Sequence, residues 1–178
     1  MEEQTTRKYK WFWAWQDNKR EEWLRQMSLA GWHLTHIDML GLAFNFTKGE
    51  PRDYNYRLDF RIDKKLDREE YLDFIKDAGW EHIESKDGWY YFRKPSTADG
   101  TSEFFTDNES KAMKYKRLMA TLAIFYPGFL IVFLANLEKY PTWFAIRLVS
   151  VFVLLIIVVS TSLIGVALRI RELERQSS

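Results

Sequence analysis

Three histidines, His33, His36 and His82, are the chain's only imidazoles, and cysteine is absent, which excludes disulfides and thiolate chemistry. His33 and His36 fall on one predicted strand, where odd spacing sends side chains to opposite faces, so they make poor joint metal ligands. No glycine-rich phosphate loop, nucleophile motif or recognisable pair of catalytic carboxylates occurs. Asp63, Asp67, Glu69 and Glu70 cluster where a helix begins, a place where acidic side chains favour the dipole and serve as caps. The expectation is a chain with no catalytic residues, no metal site and no cofactor. Binding chemistry is what remains. Trp11, Trp13 and Trp15 alternate along one segment, and a later strand sets Asn55, Arg57, Asp59 and Arg61 opposite its apolar positions. Such a charged row is ordinarily a solvated face. The alternative is a polar and aromatic site, formed by Trp11, Trp13, Trp15, Arg57, Asp59 and Arg61, for a small amphipathic ligand or a peptide.

An internal duplication must position these residues. Ala30-Gly31-Trp32 recurs as Ala78-Gly79-Trp80, a shift of 48 residues. Ahead of each tripeptide lie matching apolar positions at helical spacing: Trp23, Leu24 and Met27 in the first copy, Tyr71, Leu72 and Ile75 in the second. Asn18 with Glu21, and Asp67 with Glu70, have capping-box spacing, and Gly31 and Gly79 supply left-handed stops. Alternating segments precede each helix, Trp11 to Trp15 and Tyr54 to Ile62, and hairpins follow, turning near Gly41 and at Asp87-Gly88. The predicted fold class is α+β: a tandem strand-helix-strand-strand repeat over residues 1–94, forming one ferredoxin-like antiparallel sheet with both helices on one face. Seven of the eight tryptophans lie before residue 95, and most are accounted for by the bulky core that a small domain needs.

The last third of the chain obeys different rules. Uncharged apolar runs over 118–137 and 148–168 hold 20 and 21 residues, each giving roughly 30 Å of helix, the thickness of a bilayer's hydrocarbon core. A two-helix transmembrane hairpin is therefore expected, with a bend near Tyr126 where Pro127-Gly128 interrupts the first run. Residues 95–103 have linker composition. Thr106 and Glu109 have the spacing of a capping box, opening a juxtamembrane helix over 104–117. Residues 138–147 form a short outer loop and 169–178 a tail. Lys111, Lys114, Lys116, Arg117, Arg169, Arg171 and Arg175 flank the spans on one side against Lys139 and Arg147 on the other, so both termini are expected in the cytoplasm and the protein is expected to be multi-pass. Through Ser110 there are 17 basic and 22 acidic residues, and beyond it 9 and 3. An acidic polar half argues against nucleic-acid binding. Thr161 and Gly165 form a small-xxx-small pair that would let a second helix, another copy of the chain included, approach closely.

These features resemble the bacterial domain-of-unknown-function family 2812. The resemblance is carried by Lys10-Trp11-Phe12-Trp13-Ala14-Trp15, Glu22-Trp23-Leu24 with Met27, Gly31-Trp32, Tyr54 through Phe60, Ala78-Gly79-Trp80-Glu81, Trp89 through Lys94, and Phe105-Thr106-Asp107 with Ser110-Lys111. It implies a membrane-attached bacterial protein, often encoded beside a PadR-type transcriptional regulator, and no reaction. The duplication is also similar in topology to gyrase-inhibitor-type tandem domains, which bind small molecules between repeats, although topology transfers no residues. The expected function is a membrane-anchored sensory or regulatory module binding a small amphipathic ligand or a protein partner, with an accessory subunit of a transport or export complex as the alternative.

Overall fold

The computed structural model describes residues 4–38, 41–61, 65–96, 108–136, 139 and 141–177. The chain divides into two compact units, Met1–Thr106 and Asp107–Ser178.

The first unit runs β1 (Thr5–Tyr9), α1 (Asp17–Leu29), β2 (Trp32–Asp38), β3 (Ala43–Lys48), β4 (Tyr54–Phe60), α2 (Lys65–Asp77), β5 (Glu81–Lys86) and β6 (Trp89–Pro95). Each copy is a strand-helix-strand-strand unit, and each closes its own antiparallel sheet, in the orders β1-β3-β2 and β4-β6-β5. The single continuous sheet expected from the sequence is thus replaced by two of three strands. The reason lies in β2 and β5, the edges that would have had to join. Their ladders shift register between Leu34 and His36 and between His82 and Glu84, so Thr35 and Ile83 are extra residues at equivalent positions. A bulge twists an edge strand and spoils flat pairing.

The helices do not share one face either. Leu24 of α1 lies in a core with Leu34, Ile37, Phe44 and Phe46 of the first sheet and Tyr56, Leu58 and Tyr91 of the second. Ile75 of α2, with Tyr71 and Leu72 beside it, packs on Trp80, Tyr90 and Phe92. Tyr91 therefore faces one core while its neighbours Tyr90 and Phe92 face the other, and the second sheet is buried on both sides. This explains why β6 reads Trp89-Tyr90-Tyr91-Phe92 without polar alternation.

Each helix ends as its glycine requires. Gly31 and Gly79 hold φ of 78° and 82°, and the Gly79 and Trp80 amides donate back to the Lys76 and Ile75 carbonyls at 2.8 and 3.2 Å, the pattern of a Schellman stop. Beyond each stop the repeat holds a further device. Lys48 Nζ donates to the Ala30 carbonyl at 2.8 Å and lies 4.7 Å from the Trp32 ring centroid, and Lys94 does the same to Ala78 and Trp80 at 3.0 and 5.9 Å. A cation at a helix C-terminus meets unsatisfied carbonyls and the negative end of the dipole. The Asp87-Gly88 hairpin forms as expected, with both residues at positive φ.

The helix starts differ from expectation. Gln16 occupies the cap of α1 without a side-chain cap bond, so Asn18 and Glu21 lie inside the helix, and Asp67 lies within α2 rather than at its cap. The proposed box at Thr106 falls outside the described residues, as do Asp63, most of the 95–103 linker, and Phe104 and Phe105.

The second unit holds α3 (Asn108–Asn136) and α4 (Thr142–Ser177). α3 continues through Pro127. The two helices run antiparallel, with Phe133 stacked on Phe152 at 3.9 Å between centroids and Lys116 Nζ 2.8 Å from Glu174 Oε1. The Pro141 carbonyl accepts from the Phe144 and Ala145 amides, and α4 starts at Thr142, so the expected loop 138–147 is mostly helix and the expected tail continues it. Among the described residues one helix, Thr142–Arg175, is long and apolar enough to cross a membrane; the expected pair of spans is met by one. Most of its apolar stretch is exposed rather than buried within the protein.

Candidate functional site

The six residues expected to form a binding site divide by what they touch. Trp11, Trp13 and Trp15 lie not on a strand but in the segment joining β1 to α1. Alternation there suits a chain of indoles rather than a sheet face. Trp13 and Trp15 stack at 5.1 Å with planes 16° apart, and Trp11 meets Trp13 edge-on at 5.4 Å. Such pairs are favourable aromatic geometries. The Trp11 ring remains 56% exposed. Phe12, between them in sequence, turns the other way onto Trp23 and Phe44 of the core.

Arg57, Asp59 and Arg61 do not form an open charged face. Asp59 is 1% exposed, and its carboxylate accepts from the Tyr71 hydroxyl at 2.9 Å and the Phe60 amide at 2.8 Å. The Arg61 guanidinium lies 4.1 Å from the Tyr71 ring centroid. Arg57 instead pairs with Glu21 of α1 at 3.2 Å and donates to the Tyr56 carbonyl at 2.8 Å. Glu21 Oε1 accepts from the Leu58 amide at 2.8 Å, so a helix carboxylate covers the outer edge of β4. An edge amide facing a carboxylate cannot template another strand. The solvated-face expectation therefore fails at Asp59, because α2 covers it.

Several residues that sequence spacing did not single out organise this unit. Arg20 is buried, donates to the Tyr91 hydroxyl at 2.7 Å, and has its guanidinium 5.4 Å from both the Phe12 and Trp89 rings. Burial pushes the Tyr91 phenol up. At the meeting of the two copies, His36 places Nδ1 2.5 Å from Glu84 Oε2 of β5 and Nε2 2.7 Å from Asp38 Oδ1. Facing two carboxylates, both ring nitrogens donate only in the imidazolium form. The hydrogen bond to Glu84, with Asp38 behind it, raises the His36 pKa above 6.5. Asn45 of β3 donates to Asp38 at 2.9 Å and Arg7 of β1 at 3.0 Å, which, with His36, hold that carboxyl below its ordinary range.

The bulge at Thr35 also overturns the expectation about faces: Leu34 and Ile37 both enter the core, which leaves His33 and His36 together on the other face. They still go to different partners, His33 Nε2 lying 2.8 Å from the Glu50 carbonyl. Among the described residues no cluster of three or more histidine, aspartate or glutamate side chains is arranged to hold a metal ion. His82, half-buried beside Ser85 at 2.7 Å, is lowered by burial and then by the Arg68 charge. The 48-residue shift was the signal for the His36 pair, since Glu84 stands where His36 stands in the other copy. On α4, Thr161 Oγ1 donates to the Ile157 and Val158 carbonyls, each at 2.9 Å, within its own helix.

No curated protein and no solved structure matches this chain. A family model matches residues 16–126, from the cap of α1 into α3. With that match covering more than half its length, the chain belongs to the family described as protein of unknown function, DUF2812.

Proposed function

We propose that the protein is a membrane-anchored, non-catalytic sensory or regulatory module that binds a small amphipathic ligand or a protein partner through the Trp11 end of its indole stack. The observation that carries this reading is the Trp11 ring, largely exposed while Phe12 beside it is spent on the core. An exposed indole face at the end of an ordered aromatic array suits a lipophilic cation or an aromatic side chain. In this reading both apolar runs span the bilayer, the duplicated unit and both termini lie in the cytosol, and a PadR-type regulator is a candidate protein partner. The excess of Lys and Arg flanking the runs on the terminal sides supports that orientation.

The test is a tryptophan-fluorescence titration of the full chain in neutral-lipid nanodiscs with tetraphenylphosphonium. A saturable change that Trp11→Ala abolishes while the thermal midpoint holds is the expected result. A response unaltered by Trp11→Ala contradicts the reading.

A second reading, an accessory subunit of a transport or export complex, draws on α4. With the Thr161 hydroxyl spent inside its own helix, the Thr161 and Gly165 surface is small and offers close approach to another helix. Replacing α3 and α4 by an unrelated helical hairpin separates the two: function kept favours the sensor, function lost favours the subunit.

A further inference from the structure

From Gln4 to Gln16 the chain has no acidic residue, yet it holds Arg7, Lys8 and Lys10 interleaved with Tyr9, Trp11, Phe12, Trp13 and Trp15. The structure puts the first part of this segment on β1, an outer strand of its sheet. Tyr9 is 66% exposed at its end, followed by the exposed Trp11. Arg7 is committed to Asp38. Lys8 and Lys10 are exposed; Lys10 keeps its ammonium over the Phe12 and Trp23 rings, at 5.3 and 4.9 Å. Although Tyr9 has the Arg7 guanidinium 5.5 Å from its ring and Trp11 meets Trp13, both aromatic side chains stay largely exposed and alternate with Lys8 and Lys10 on the rim of a half-chain whose overall charge is negative.

This combination fits one kind of partner. Tyrosine and tryptophan rings settle at the headgroup level of a bilayer, and lysines beside them attract anionic lipid. The negative remainder of the unit is repelled from the same surface, which turns the β1 rim toward it. A helix of membrane-spanning length in the same chain supplies the bilayer at high effective concentration. We infer that the Lys8-Tyr9-Lys10-Trp11 rim is a docking surface for anionic lipid headgroups. The inference rests on the aromatic segment that the proposed function also uses, and names its partner as the membrane surface.

The chain has no native cysteine, so Thr5→Cys on the exposed face of β1 takes a single environment-sensitive fluorophore. The full chain is reconstituted in nanodiscs of phosphatidylcholine alone, or with phosphatidylserine, with and without brominated acyl chains. Docking predicts blue-shifted emission and bromine quenching only with phosphatidylserine, reversed by added salt. Lys8→Glu with Lys10→Glu then lowers the docked-to-free ratio by about 25-fold or more, at roughly fivefold for each of the two basic charges lost. Trp11→Ser lowers it with the lysines intact, and an unchanged thermal midpoint shows that each variant folds. Equal signals in both lipids, or variants that behave as the parent, overturn the inference. A signal that appears only when a soluble protein is added, without phosphatidylserine, also overturns it and identifies a protein as the occupant. The tetraphenylphosphonium titration is done in neutral lipid, so failure there strikes the ligand reading and leaves lipid docking to be judged on these discs.

Discussion

His36 and Glu84, equivalent residues of the two repeats 48 positions apart, touch each other at 2.5 Å. A duplicated unit that meets itself through the same position twice would ordinarily bring like residues together. Here one copy supplies the cation and the other the anion.

That pair makes the joint sensitive to pH. The folded chain holds the His36 proton more tightly than the unfolded chain does. Its stabilisation is therefore complete below about pH 6.5, the unfolded value, and disappears as pH rises through the higher folded value. Thermal midpoints measured across that range should fall for the parent chain and stay flatter for Glu84→Gln. Parallel curves would show that the contact has no energetic role.

His82 should respond with the opposite sign. Burial and Arg68 depress it, so the folded state resists protonation, and stability falls as pH drops from about 6.5 toward the lower folded value. Imidazole titrations followed by NMR should show His36 with a midpoint above the ordinary one and His82 with a midpoint below it. The reverse order is incompatible with the environments described.

Glu21→Ala should destabilise the chain by on the order of 1–3 kcal/mol, because it removes the acceptor used by the Leu58 amide and the partner of Arg57 inside a largely buried contact. Urea unfolding monitored by circular dichroism measures this. The neighbouring exposed Glu22→Ala, which loses a bond to Gln26 on the helix surface, is expected to change it by less than about 0.5 kcal/mol.

Two glycines separate strain from crowding. Gly41 and Gly31 share φ near 79°, but among the described residues a Cβ at Gly41 meets nothing within 4 Å, whereas at Gly31 it would lie 2.7 Å from the Gly49 carbonyl oxygen. Gly41→Ala should cost roughly 1–2 kcal/mol from its left-handed conformation alone. Gly31→Ala should cost clearly more, since backbone must move as well. Equal unfolding midpoints would refute the crowding at Gly31.

What the sequence made legible followed from local rules. The Ala-Gly-Trp stops, the apolar positions of α1 and α2 and the Asp87-Gly88 hairpin are each set within a few residues, and they lie where expected. β1 was misplaced because an outer strand such as Thr5–Tyr9 carries no apolar alternation, while Trp11, Trp13 and Trp15 imitate one in a segment that is not a strand. Glu21 has the spacing of a cap, and only tertiary packing reveals that it serves β4. The bulges at Thr35 and Ile83 leave no compositional mark, yet they decide that the copies form two sheets and that His33 and His36 share a face. At the site, the indoles were identifiable as a group. The burial of Asp59 was not, since it depends on where α2 lies.

One measurement bears most directly on the proposed arrangement, in which both apolar runs span the bilayer and the duplicated unit and both termini face the cytosol. Glu2→Cys, Lys139→Cys and Ser178→Cys, each the sole cysteine of its variant, are exposed in intact cells to a membrane-impermeant thiol reagent and again after permeabilisation. The account predicts labelling of position 139 from outside, and of positions 2 and 178 only once the membrane is opened. Labelling of position 2 or 178 in intact cells would contradict it.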